Sequence, residues 1–226
     1  GGNPFFINEF LRGIYNDGLL RFDMERGSWV WDMPLIKTCQ LTDNVVELMS
    51  HKVKELPKET QQMLQLAACI GYECRLSTLA TLSQRSKPET ASVLWHSLAS
   101  GLIFPLTQNY LFAEQEDSEA EVRYSFAHAG IQQGSYVSMP ESDRKAVHWQ
   151  IGQLLLEEIP EDQREHRIFE LVNHLNPGSV HIQTMEQRIL LAELNLLASQ
   201  KTYYSAAPEA SYRYAHKGIS LLRVLQ

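Results

Sequence analysis

The chain has 226 residues, enough for one large domain or two small ones, and its 44% hydrophobic content is ordinary for a globular protein that buries a core. Twenty Lys and Arg against 27 Asp and Glu give a net charge of −7 and a pI near 5.6, which argues against general nucleic-acid binding. No apolar run is long enough to span a membrane and no signal peptide is expected, while three cysteines (Cys39, Cys69, Cys74) without a CxxC or HxxxH pair suggest reduced, buried thiols in a cytoplasmic protein rather than disulfides or a metal site.

In chain order, GGNPFFINEFLRGIYNDG enters directly at a helix start, with Pro4 in the first turn and Asn16-Asp17-Gly18 as the stop. The expectation is a chain cut from something longer. Two short runs, Leu19 to Phe22 and Ser28 to Trp31, flank Glu25-Arg26-Gly27 and predict a hairpin. Trp29 and Trp31 share one face by period two and read as packing residues. A helix is expected over LTDNVVELMSHKVKELP, and a second over KETQQMLQLAACIG with Gly71 as its stop. A short helix covers LSTLATLSQ. Ser86 with Glu89 three residues on is a capping box opening a helix that ends at Gly101. LIFPL, YLFAE and VRYSFAH, around the acidic loop EQEDSEAE, read as a β-wing. Three helices and then a wing is the winged-helix order.

From Ala127 the chain reads as helical to its end. The expected helices are AGIQQGSYVSM, then ESDRKAVHWQIGQLLLEEI, then Asp162 to Asn173 with HLNPG as terminator, then QTMEQRILLAELNLLASQKTYY, then a helix from Pro208. Leu194, Leu197 and Ala198, followed by Ala210 with Tyr214 four further on, match the spacing of a tetratricopeptide helix pair. One such unit cannot bury its own face, so further repeats are expected beyond Gln226. The fold class is therefore mainly α: the end of a helical region with a hairpin over 1–40, a winged helix over 41–140, and TPR-like repeats over 141–226.

No complete catalytic constellation is present: the sequence lacks GxxxxGK[ST], GxSxG and HExxH. His166 and His174, read as lying on one helix at i, i+8, are too far apart for one metal. His128 sits where a strand meets a helix. It can either pack at the junction, bonded to backbone, or point into a cleft. Gly2-Asn3-Pro4 offers close backbone approach, a flat apolar ring and first-turn N–H groups for an anion, or simply a helix start. The helix after Ser86 would be the DNA-reading element of a winged helix, but TASVLWHSLAS carries almost no charge, and the acidic wing would repel phosphate.

Taken in order, GGNPFFINEFL, LLRFDMERGSWVWD, LTDNVVELMSHKVKELPKETQQMLQLAACIG, TASVLWHSLASGLIFP, FAHAGIQQGSYVSMP, HWQIGQLLL and VNHLN resemble the region after the nucleotide-binding core of STAND-type AAA+ signalling ATPases. The nearest such proteins are multidomain kinases, with a Ser/Thr-kinase-like domain before the ATPase and GAF and histidine-kinase domains after the repeats. The resemblance implies that Gly2-Asn3-Pro4 matches the Gly-x-Pro motif that contacts adenine. It implies that His128 stands where a winged-helix His reaches the phosphates of ADP. The family's His-Asp-Arg is here His128-Ala129-Gly130, its Gln-Gln-Ala-Ala-Tyr is Gln132-Gln133-Gly134-Ser135-Tyr136, and Pro208 replaces a non-Pro residue.

The function so implied is that of a regulatory arm. It would gate nucleotide state in a signal-transduction kinase and relay that state through helical repeats. ATP or ADP with Mg would belong to the full-length parent and none to this chain alone, which would not be an enzyme. Its partners would be an upstream nucleotide-binding domain and downstream repeats and sensor or kinase domains, with no nucleic acid and no membrane span. The alternative is a stand-alone winged-helix and TPR scaffold for protein partners; a DNA-binding regulator is the third reading.

Overall fold

The computed structural model describes Ile7, Leu11 and residues 13–15, 18–38, 52–106 and 121–223. Gly2, Asn3 and Pro4, residues 42–51 of the helix expected over 42–56, the run YLFAE and most of the acidic loop lie outside the described residues, while 52–55 are helical. The chain divides into two compact units, Gly1–Lys52 and Val53–Gln226, and among the described residues it is mainly helical.

In the first unit residues 13–15 are helical, and the Leu19 amide donates to the carbonyl of Ile14. The predicted hairpin forms: β1 (Leu20–Asp23) pairs antiparallel with β2 (Ser28–Trp31), with Leu20 opposite Trp31 and Phe22 opposite Trp29. Asp23 builds the turn by accepting from the amides of Glu25 and Arg26 at 2.9 and 3.1 Å. Gly27 has φ +58°, which explains a glycine there. The tryptophans do not pack as expected. Trp29 touches Phe22 and Tyr15 edge-on at 5.5 and 6.1 Å, yet it is 51% exposed and Trp31 is 57% exposed. Two strands make a single layer, and the described residues of this unit supply no second layer to cover that face. Asp32, accepting from the Leu35 amide, starts α1 (Met33–Thr38), which the sequence reading had not separated from its surroundings.

The second unit opens with α2 (Lys58–Ile70), β3 (Glu73–Arg75), α3 (Leu76–Ser83), α4 (Lys87–Ala99), β4 (Ile103–Pro105) and β5 (Arg123–Phe126). The three strands form an antiparallel sheet in the order β3-β5-β4. The three helices pack on one another. Leu64, Leu79 and Leu94, one from each, are fully buried, and so is Tyr124 of β5. The α4 capping box is formed: Ser86 Oγ accepts from the Glu89 amide, and Glu89 accepts from the Ser86 amide at 2.9 Å. Its stop is Gly101, at φ +67°.

Then follow α5 (Ala129–Ser138), α6 (Glu141–Glu158), a 3₁₀ turn (Glu161–Gln163), α7 (Ile168–Leu175), a second 3₁₀ turn (Pro177–His181), α8 (Met185–Tyr204) and α9 (Pro208–Arg223). The helix expected from Asp162 to Asn173 needs correction. It begins at Ile168, because Asp162 to Arg167 are polar throughout and offer no face to bury, whereas Ile168, Leu171, Val172 and Leu175 are all essentially inaccessible. His166 is therefore not on the helix that carries His174. These four side chains join Ile151, Leu155, Leu191, Leu194, Ala198 and Leu221 in one core, which Cys69 of α2 and Met139 tie to the preceding helices. α8 and α9 lie close together: Ser199 Oγ donates to the Ser211 carbonyl at 3.0 Å, and Gly218 faces the Ala192 carbonyl.

Candidate functional site

His128 is placed by the end of β5. The Ala127 amide donates to the Leu102 carbonyl, holding the strand exit, and His128 follows in extended conformation as the N-cap of α5. Its Nδ1 accepts from the Gly130 amide at 2.9 Å, and its carbonyl accepts from the Ile131 amide at 3.0 Å. The side chain is half-buried. A neutral imidazole that accepts at Nδ1 carries its hydrogen on Nε2, so the helix cap fixes the tautomer and makes Nε2 the donor. Of the two junction roles open to it, His128 has a backbone partner, accepting from the Gly130 amide. Gly2, Asn3 and Pro4 lie outside the described residues, so the structure does not bring them together with His128.

On another face, a groove of about 320 Å³ runs between the sheet and helices α6 and α7. Arg75, Arg123, Arg167, Glu73, Glu158 and Glu170 line it, with His174 among them. Arg123 bonds Glu73 at 2.8 Å, and Arg167 bonds Glu170 through two contacts of 2.8 Å. These exposed pairs neutralise one another locally and contribute little to stability.

His174 leads inward to a buried polar chain that no local pattern in the sequence signalled. Its Nδ1 lies 3.0 Å from Nδ1 of His148, and His148 Nε2 lies 3.0 Å from the Tyr136 hydroxyl. Burial pushes the His174 ring down to about 4, with His148 a lesser cause, and burial followed by the Arg144 guanidinium lowers His148. The thiols are inert by the same physics: burial raises Cys69 to about 11 and Cys74 to about 12. Among the described residues no three His, Cys, Asp or Glu side chains are grouped to hold a metal ion, and no helix is long and apolar enough to cross a membrane.

The exposed positions of α4 are Lys87, Glu89, Ser92, Trp95, His96 and Ala99, so its lysine stands in the first turn beside a carboxylate and the exposed positions after Glu89 carry neither Lys nor Arg. At the far end of the unit, Ile189, Leu196, Ile219 and Leu222 project between 42 and 57% exposed along a groove between α8 and α9.

Comparison with known proteins gives one informative similarity. The chain is 26% identical over 260 aligned residues to the "Hybrid signal transduction histidine kinase G" of Dictyostelium discoideum. The alignment takes in 98% of this chain but only 8% of that protein's length. No family model matches the chain, and no solved structure matches it.

Proposed function

We propose that this chain is the regulatory arm of a STAND-type ATPase within a signal-transduction protein: a winged helix followed by the first TPR-like helices, gating a neighbouring nucleotide-binding core and passing its state onward. The observation that carries the reading is the similarity along almost the whole chain to a relative whose name states signal transduction and a histidine kinase. The element order from α2 to β5, with its antiparallel three-stranded sheet, supports a winged helix. The closely approached α8–α9 pair supports a repeat-like array.

In this reading the parent binds ATP or ADP with Mg, and Gly2-Asn3-Pro4 lies against the adenine. His128 fits its part, because a ring held as acceptor at Nδ1 presents Nε2–H, the donor that a phosphate oxygen requires. A donor made available only when the arm is closed over the nucleotide ties closure to ligand, and losing the contact releases the arm.

The test uses the protein with its nucleotide-binding core attached. His128→Asn keeps an N-cap acceptor but removes the ring donor, whereas His128→Ala removes both. Both are expected to weaken ADP binding about tenfold in calorimetry, the effect of one hydrogen bond to a charged group. If His128→Asn binds ADP like the wild type, the ring is only a helix cap and the sensor role is lost. A scaffold for protein partners is the second reading, favoured by the exposed apolar groove between α8 and α9. It expects ADP to change nothing in partner binding.

A further inference from the structure

Tyr136 on α5, His148 on α6 and His174 on α7 connect three consecutive helices through two polar contacts of 3.0 Å. The rings also touch, with centroids 5.8 Å apart between Tyr136 and His148 and 5.1 Å between the two histidines. Both histidines are buried. One hydrogen fits between two Nδ1 atoms at this distance, so one ring donates and the other accepts. A first added proton preserves that bond but leaves a charge inside the protein. A second sets N–H against N–H and breaks it.

The charged surroundings do not welcome that proton. On α6, Arg144 donates to the Tyr136 carbonyl at 3.1 Å and lies 4.9 Å over the Tyr136 ring. From α2 comes Cys69, neutral at ordinary pH. On α7, Glu170 favours a charged His174, but it is committed to Arg167. The groove adds Glu158 on α6 and the cation–anion pair Arg123–Glu73 of the sheet, with Arg75 beside them. From α8, Arg188 donates to the Leu221 carbonyl, Lys201 to the Glu165 carbonyl, and Glu193 is exposed. The turn Pro177–His181 brings His181, whose buried Nε2 has no partner.

We propose that the Tyr136–His148–His174 chain is an acid-labile joint: proton uptake parts α5, α6 and α7 here and loosens α5, the helix that His128 caps, while α8 and α9 stay paired. The pKa values of both histidines are lowered in the closed form, so the open form takes up protons first. The joint is therefore fully closed above about pH 6.5, the unfolded value for histidine, and weakens as pH falls toward about 4. Each proton taken up makes opening up to about tenfold more favourable per pH unit within that window.

Residue-resolved hydrogen exchange from pH 7.5 to 4.5, corrected for intrinsic rates, with histidine-ring NMR on the same sample, tests this on the whole chain. Opening of residues 129–175 is expected to rise at least about tenfold between pH 6.5 and 5, in step with uptake by His148 and His174 and not by His181, while α8 and α9 keep their protection. The double variant His148→Phe/His174→Leu should hold its protection flat over the same range. Protection that stays flat in the wild type, that falls equally in α8 and α9, or that tracks His181 overturns the proposal. So does a double variant that keeps the acid response; if that variant does not fold, the wild-type pattern decides alone.

Discussion

A Cβ built on Gly178 would lie 2.7 Å from the N, Cα and Cβ atoms of Trp149, so a side chain there drives backbone into backbone. Gly152 is tight in a different way: its Cβ would meet the Leu175 side chain at 2.4 and 2.7 Å, and a side chain can turn aside. Gly178→Ala is therefore expected to destabilise the fold more than Gly152→Ala, by about 1–3 kcal/mol in denaturant titration, because α6 and the turn after α7 must separate. Equal effects would show that the turn gives way freely. Neither demand is legible in the sequence. Gly178 reads there as part of a helix terminator, and nothing within HLNPG names Trp149, 29 positions earlier in the chain, as the reason for it. The same limit hid the histidine pair. His148 and His174 stand 26 residues apart, and each is unremarkable on its own helix until the fold brings the rings together. His128 was legible, because a strand run ending against a helix start marks a junction locally.

At the scale of elements, signals complete within a few residues were readable and those depending on burial were not. Ser86 and Glu89 are three apart and bond each other's amides as their spacing predicts. Removing the hydroxyl isolates that contribution. Ser86→Ala is expected to cost about 1 kcal/mol of stability, read from the shift of the unfolding midpoint at unchanged slope. An unaffected midpoint would mean that water replaces the cap without loss. β3 was missed because three residues carry no period, and it becomes a strand only through pairing with β5, where Cys74 lies opposite Tyr124. The start of α7 was misplaced for the converse reason. Polar residues 162–167 tolerate helix, but only Ile168 onward has a core to enter. The hairpin of β1 and β2 was read correctly from its turn, while the exposure of Trp29 and Trp31 was not, since alternation says which residues share a face and not whether anything covers it.

For the molecule as a whole, the distribution of buried side chains separates the two units. Of the buried hydrophobic residues among those described, Ile14 lies in Gly1–Lys52 and all the rest lie from Val53 onward. The cores of the sheet-bearing part and of α6 to α9 are bridged by Cys69 and Met139, so they should melt together. The hairpin, two strands with both tryptophans exposed, has among the described residues no third strand or covering layer of the kind that independent stability requires. A chain beginning at Val53 is therefore expected to unfold in one cooperative step with the midpoint of the 226-residue chain, followed by far-ultraviolet circular dichroism. In the 226-residue chain, fluorescence of Trp29 and Trp31, isolated by replacing Trp95 and Trp149 with Phe, should change at lower temperature than the helical signal. A shortened chain that loses its cooperative transition would show that residues 1–52 contribute to the stability of the second unit, and residues 1–226 would then have to be treated as one folding unit.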